Sequence, residues 1–366
     1  MQNTASLPAD QFDELLHRLP AGLDLDQLAQ QTKAIQRKRA LTSGPDLLRL
    51  ALARGPGGLS LSEAAAWATM LGLARMSDPA VKKRLDKAVA FLDAVMASLL
   101  AEQAPGTAVH WPGRVLRNAD GSCYCERGSK TTSWRLHAVY DLGRGGFSHL
   151  ELTDNHGAEA IERGVPIPGE VRIGDRNFAR AASLRRFRQQ SADQTDFIVR
   201  VGWNALSLTR LDGTDFDLIA HLGTLPADMV RHEVLLRATV GPLDPPLPLR
   251  LVIQRKAPEA TATTRKKLLK EASRKQKVLD PRSLIAAEFM ILGTSLPAEG
   301  YPSTDVLAVY RLRWQIELAF KRLKSLLRMG RLPTRTDRAS RSWLTAHLIL
   351  ALLCDDLSQE FLDSSP

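Results

Sequence analysis

A chain of 366 residues, 44% hydrophobic and 25% charged, has material for two or three domains and a sizeable core, which excludes wholesale disorder. Its net charge of +10 is concentrated: residues 255–282 hold ten Lys and Arg against three acids, and residues 309–342 hold ten against two. Two basic stretches on an otherwise slightly acidic body suggest a polyanion-binding surface, while three cysteines (Cys123, Cys125, Cys354) without ligand spacing exclude a disulfide framework or a zinc site.

The N-terminus MQNTASLPADQFDELL is acidic and lacks an apolar signal core. The longest near-apolar run, Leu344 to Cys354, is interrupted by His347 and is too short to span a bilayer. A cytoplasmic protein with no membrane partner is expected. Residues 1–105 read as a helical domain. Ser60-Leu-Ser-Glu63 is a capping box opening a helix through Trp67, which Gly72 would stop. Ser77-Asp-Pro starts a second helix with Val81, Leu85, Ala88, Leu92, Val95 and Leu99 on one face. Lys82, Lys83 and Arg84 crowd its first turns. Helix, short turn and basic-ended helix form the pattern of a DNA reader, although helical bundles of any function contain it too.

Strands are expected from residue 106 onward, at Arg114–Asp120, Ser133–Tyr140 and Phe147–Thr153, the last two joined by the Gly-rich turn at 142–146. A short helix over Ala158–Arg163 follows, then the strand Glu170–Gly174 ending on Asp175, a basic helix Phe178–Gln190 and the strand Asp196–Val201. Three antiparallel strands, then helix, strand, helix and strand, is the order of an RNase H-like fold. The fold class is therefore α/β: an RNase H-like core in two parts (106–202 and 303–366), interrupted by a β-rich insertion (203–302) and preceded by the all-α N-terminal domain. The insertion reads as strands at Phe216–His221, His232–Val240, Leu247–Gln254 and Glu288–Gly293. Its basic connection Thr261–Val278 is a helix or a mobile arm. There Lys266, Lys267, Arg274 and Lys275 are candidate contacts to a phosphate backbone.

Tyr310 to Lys324, YRLRWQIELAFKRLK, has no Gly or Pro and reads as one helix. At about 100° per residue, Tyr310, Arg313, Glu317 and Lys324 share one edge, beside an apolar stripe of Val309, Leu312, Ile316, Ala319, Leu323 and Leu327. An acid flanked by cations suits a metal-dependent site that handles phosphate, the carboxylate holding a divalent ion while Arg and Lys grip phosphate oxygens.

The spacing Tyr310-x2-Arg313-x3-Glu317-x6-Lys324 is similar to the Tyr-Arg-Glu-Lys signature of a branch of bacterial Asp-Asp-Glu transposases of insertion sequences. Asp120-Gly121 and Asp175-Arg176 resemble the contexts of that family's first two acids, and WRLHAVYDL with ELTDNHGAE resembles its sequence between them. The resemblance covers roughly residues 110–330, including a strand-rich insertion before the Glu. It implies that Asp120, Asp175 and Glu317 bind two Mg²⁺ ions, with Mn²⁺ as a substitute, and cut and join DNA. It further implies that Arg313, Lys324, Tyr310 and Arg176 contact DNA, and that a homodimer engages the terminal repeats and target duplex. Trp314 is a candidate to stack on an unpaired base, or a surface Trp against the insertion. Asp141 and Asp154 are alternatives to Asp120, the first opening a Gly-rich turn and the second capping a loop. Asn177-Phe178 departs from the family's Gly-Tyr, and the tail after Lys324 is short. The other readings are a nuclease that never joins strands, and an inactive DNA-binding relative.

Overall fold

The N-terminal portion is built from α1 (Phe12–Leu16), α2 (Leu25–Gln31), α3 (Gly44–Arg54), α4 (Leu61–Met70), α5 (Asp78–Lys87) and α6 (Val89–Ala101). These come from a computed structural model, which describes residues 12–36, 41–101, 111–126, 129, 131–326, 332–334 and 336–363. The expected boundary at 105/106 and Leu327 of the apolar stripe lie outside the described residues. At α4 the capping box forms: the Ser60 N–H donates to the Glu63 carboxylate at 2.7 Å, and the Ser60 hydroxyl accepts from the Glu63 N–H at 3.2 Å. The single helix expected from Ser77 breaks at Ala88 into α5 and α6. Its stripe survives the break, since Val81, Leu85, Ala88, Leu92, Val95 and Leu99 are all buried.

The strands are β1 (Val115–Tyr124), β2 (Trp134–Asp141), β3 (Gly146–Asp154), β4 (Glu170–Gly174), β5 (Asp196–Arg200), β6 (Leu208–Thr209), β7 (Arg231–Ala238), β8 (Leu247–Arg255) and β9 (Phe289–Thr294). They form one sheet in the order β3-β2-β1-β4-β5-β9-β8-β7-β6. Strands from residues 203–302 thus extend the sheet of residues 115–200, with β9 antiparallel to β5. Two expectations fail here. Residues 158–163 form turns rather than a helix, and Phe216–His221 is no strand, because α8 (Leu218–Thr224) starts inside it. The carboxylate of Asp217 caps α8, accepting from the Ala220 N–H at 3.0 Å.

One face of the sheet is covered by α7 (Ala181–Gln189) and α8, whose Leu184, Phe187, Leu218 and Leu222 pack with Phe197, Val199, Leu251 and Ile291. The connection within 261–278 is helical: α9 (Pro258–Arg274) buries no residue along its length. After α10 (Arg282–Ala286) come α11 (Ser303–Arg311), α12 (Trp314–Leu326) and α13 (Asp337–Asp363). Val306, Val309 and Tyr310 of α11 pack on Leu116, Ile173, Ile198 and Leu292. Ile316, Phe320 and Leu323 of α12 instead join the core shared by the N-terminal helices, α13, β2 and β3.

A buried ion network spans the centre of the sheet. Arg117 bonds Asp141 at 3.3 Å and Glu170 at 3.1 Å, and Arg172 bonds Glu170 at 2.6 Å. Arg172, 1% exposed, also donates to the carbonyls of Ile161 (2.8 Å), Arg163 (2.7 Å) and Gly164 (3.2 Å), pinning the loop between β3 and β4. Removing one partner of such a network strands the others without water. Arg172→Met is therefore expected to lower stability by about 3–5 kcal/mol in denaturant unfolding. A loss under about 1 kcal/mol would mean that water replaces the guanidinium there.

Candidate active site

β1 and β4 are parallel neighbours, with Asn118 opposite Ile173. Continuing that register by two residues sets Asp120 beside Asp175. Asp120 does not end its strand, as expected from Asp-Gly, because β1 runs on to Tyr124 with Gly121 paired to His137. Burial, against the Gly121 N–H bond and Arg313 and with the charges of Asp175 and Glu159, pushes the Asp120 carboxyl up to about 6. Asp175 lies just past β4 and opens a 3-10 turn (Arg176–Phe178), its carboxylate accepting from the Asn177 N–H at 2.7 Å.

The signature stretch is two helices rather than one. α11 ends at Arg311 and α12 begins at Trp314, leaving Leu312 and Arg313 in a turn. At the break a bond arrives from the sheet: Asn118, two residues before Asp120, donates from Nδ2 to the Leu312 carbonyl at 3.1 Å. The same carbonyl accepts from the Gln315 N–H at 3.0 Å, so the Asn118 bond ties this joint to β1. It also delivers Arg313 over the acids, where the guanidinium lies 3.8 Å from Asp120 and hydrogen-bonds Glu317. Tyr310, buried at the end of α11, shares the field of Arg313, Arg200 and Asp175. Lys324 is exposed, with its ammonium 5.2 Å from the Tyr124 ring centre. Asp120, Gly121, Glu317, Phe320, Lys321 and Lys324 line one open cleft. Trp314 is 52% exposed at the start of α12.

The other candidates are placed as follows. Asp141 is buried against Arg117 and accepts from the Gly143 and Arg144 N–H groups, and Asp154 caps a turn at the His156 N–H. On α5, Lys82 pairs with Asp86, Arg84 donates to the Ala34 carbonyl at 3.2 Å, and Lys83 is exposed. On and just past α9, Lys266, Lys267 and Arg274 are exposed, and Lys275 pairs with Glu271 at 2.6 Å. Arg176 is exposed beside Asp175.

Sequence reasoning missed two site neighbours, Glu159 and Asn118. Glu159 reaches over Gly121, where an added Cβ would sit 2.6 Å from its carboxylate oxygen, and it accepts from Asn177 Nδ2 at 3.1 Å. Asn177, the departure from the Gly-Tyr pattern, thereby links the Glu159 loop to Asp175. Asn118 could have been suspected as a polar residue in a buried strand, but its partner 194 residues away could not.

Among the described residues, no group of three or more His, Cys, Asp or Glu side chains is gathered to hold a metal ion. The donor chemistry nonetheless fits a hard divalent cation at Asp120 and Asp175, two oxygen donors whose mutual repulsion such an ion relieves. Glu317 is turned to Arg313 instead. No helix among the described residues is long and apolar enough to cross a membrane.

Residues 106–353 match the family model described as the transposase DDE domain. Over 98% of its length the chain is 36% identical to InsL for insertion sequence element IS186A of Escherichia coli strain K12, covering 96% of that protein. It is equally similar, over the same shares, to the transposase for insertion sequence element IS421 of Escherichia coli. The transposase for IS231F of Bacillus thuringiensis subsp. israelensis is 23% identical over 94% of this chain and 79% of its own length. The piggyBac transposase synaptic complex with hairpin DNA, solved by cryo-electron microscopy, gives a TM-score of 0.45 at 11% identity, over 95% of this chain and 73% of that one. With a family match across more than half of the chain and relatives similar along nearly all of it, this chain belongs to the family of transposases with a DDE domain.

Proposed function

We propose that the chain nicks the ends of its own insertion sequence and joins the freed 3′ ends to target DNA, using Asp120, Asp175 and Glu317 as the metal carboxylates. The observation that carries this reading is the parallel register of β1 and β4, which sets Asp120 beside Asp175 beneath the joint that holds Arg313 and Glu317. In this reading the chain falls in the Tyr-Arg-Glu-Lys branch. Its RNase H-like core comprises residues 106–202 and 303–366, residues 203–302 are the insertion, and residues 1–105 touch DNA through Lys82, Lys83 and Arg84. Two chains engage the paired element ends. Mg²⁺ or Mn²⁺, when bound, supplies the positive charge that stabilises in-line displacement at phosphorus.

This chain's own residues do the positioning. Tyr310, Arg313 and Lys324 hold phosphate oxygens, and Trp314 offers a stacking face to an unpaired base. Arg313 is engaged by Glu317 and lies 3.8 Å from Asp120. An arriving phosphate competes for the guanidinium and frees Glu317 to turn toward the two aspartates. Cleavage-site assembly is thereby coupled to DNA binding.

A pre-cleaved element end, a target plasmid and Mg²⁺ test the reading. Joined product is expected; cleavage alone would make the chain a nuclease, and binding alone an inactive relative. The exposed cations of α9 should track the DNA backbone. Neutralising Lys266, Lys267, Arg274 and Lys275 together is expected to flatten the salt dependence of duplex binding. The change is about 0.9 in log K against log salt for each phosphate that is no longer neutralised. An unchanged slope would leave α9 as a merely solvated helix.

A further inference from the structure

Three strands that point the same way end in cations at one edge of the sheet. β4 is parallel to β5, and β8 runs in their direction because β5 and β8 are both antiparallel to β9. Just past β4 comes Asp175-Arg176, β5 ends on Arg200, and β8 is followed at once by Lys256. The start of β9 ties the last two together: the Val201 N–H donates to the Ile291 carbonyl and the Lys256 N–H to the Glu288 carbonyl, each at 2.8 Å. Because β5 lies on the far side of β4 from β1, this edge flanks Asp175 opposite Asp120.

Among the described residues these cations have no ion-pair partner. Glu288, whose backbone carbonyl accepts from the Lys256 N–H, is taken at its carboxylate by Arg255 and Arg265. Burial and then the Arg176 charge disfavour the charge on Arg200, only partly offset by Tyr310 and Asp175, and Glu271 feels the charge of Arg176, all from beyond pairing distance. The Lys256 ammonium is tethered only by neutral acceptors, the Ala287 carbonyl at 2.8 Å and the Thr264 hydroxyl at 3.5 Å. Burial, then the fields of Arg200 and Arg176, hold it down to about 8. The stem of Arg176 rests on Gly202, where an added Cβ would lie 3.3 Å from its Cδ. Three like charges held together, two of them half-buried, oppose one another unless an anion joins them.

We propose that Arg176, Arg200 and Lys256 form a receptor for one DNA backbone phosphate on the insertion side of Asp175. This deepens the transposase reading and rests on it. Two guanidiniums and an ammonium match the several oxygens of a phosphodiester better than a single carboxylate. The receptor also continues outward, since α9 and its exposed Lys266, Lys267 and Arg274 begin two residues after Lys256. The backbone strand that follows α9 thus reaches the acids through this edge, apart from the strand gripped by Lys324.

The test uses the full chain, metal-free, with a duplex of the element's own end, native or carrying a single neutral methylphosphonate at successive positions. Arg200→Met and Lys256→Met are each expected to lose about tenfold in affinity and about 0.9 in salt slope. The double variant should lose less than the product of the two, since both lose the same phosphate. One methylphosphonate position should weaken the wild type and leave the variants unaffected. The unbound variants should melt no lower than the wild type, because a repulsion has been removed. Wild-type affinity and slope in both variants would overturn the receptor. So would variants that melt lower yet still respond to every methylphosphonate as the wild type does. If the wild type binds the duplex but never nicks it with Mg²⁺, the transposase reading fails, and the slopes still decide the receptor.

Discussion

Asp175→Asn is expected to abolish cleavage of element ends, to below roughly one per cent of wild type, while end-DNA binding persists. An Asn keeps what Asp175 does for the fold, because its amide oxygen can still accept the Asn177 N–H that opens the 3-10 turn. What disappears is one negative charge beside Asp120, whose carboxyl burial and that charge hold near 6. Relieving the repulsion should leave the metal-free variant at least as stable as wild type. Mg²⁺-dependent nicking of a labelled end, duplex affinity and a metal-free melting curve check the three parts. Nicking above a few per cent would refute a metal-binding role, and a large fall in melting temperature would make Asp175 structural.

Glu317→Gln and Arg313→Ala should separate, although the two side chains are bonded to each other. Without its carboxylate, residue 317 no longer competes with phosphate for Arg313. The variant should bind end DNA at least as tightly as wild type and neither cut nor join. Arg313→Ala gives up its grip on phosphate, and losing a charged hydrogen bond costs roughly 1.5–3 kcal/mol, or about ten- to a hundredfold in assembly and joining. Its first nick should be only partly impaired, since the carboxylates remain. End-DNA affinity and Mn²⁺-supported nicking of both variants decide the matter. If Glu317→Gln nicks normally while Arg313→Ala is dead, Glu317 is only a salt-bridge partner.

Segments whose structure is local were legible in sequence. Glu170–Gly174 is read residue for residue, because Val171 and Ile173 alternate with charged residues in a stretch closed by Pro166–Gly169 on one side and a capping Asp175 on the other. The Ser60–Glu63 capping box is equally local. Where sequence and structure part, a distant partner intervenes or a local cap outweighs the strand pattern. Asp120-Gly121 looks like a turn and is not one: β2 pairs through it, and the Glu159 carboxylate fills the space above Gly121. Ala158–Arg163 has helical composition, but Arg172 engages the carbonyls of Ile161, Arg163 and Gly164 instead. At Phe216–His221, read as a strand, Asp217 is instead an N-cap legible in the sequence. At the site, the residue types and spacing around Glu317 could be read, but the joint at Leu312, where Asn118 of the distant β1 docks, could not. Arg200 and Lys256 each follow an apolar strand in plain view, and only the strand order brings them to one edge.

The joint at Leu312 and Arg313 also has a meaning for how the protein can change over generations. Residues before it pack against the central sheet with Val309, and residues after it share a core with the N-terminal helices through Ile316. Inherited substitutions that shift the helical bundle, for instance toward a new terminal sequence, carry Glu317 with them and leave Tyr310 where it was. Under the proposed function, with the bundle on the element ends and Glu317 on the metal, adaptation to new ends and retention of catalysis are not independent traits. Compensating changes after such a shift belong at the joint itself, in Asn118, Leu312 and their neighbours, rather than among the acids.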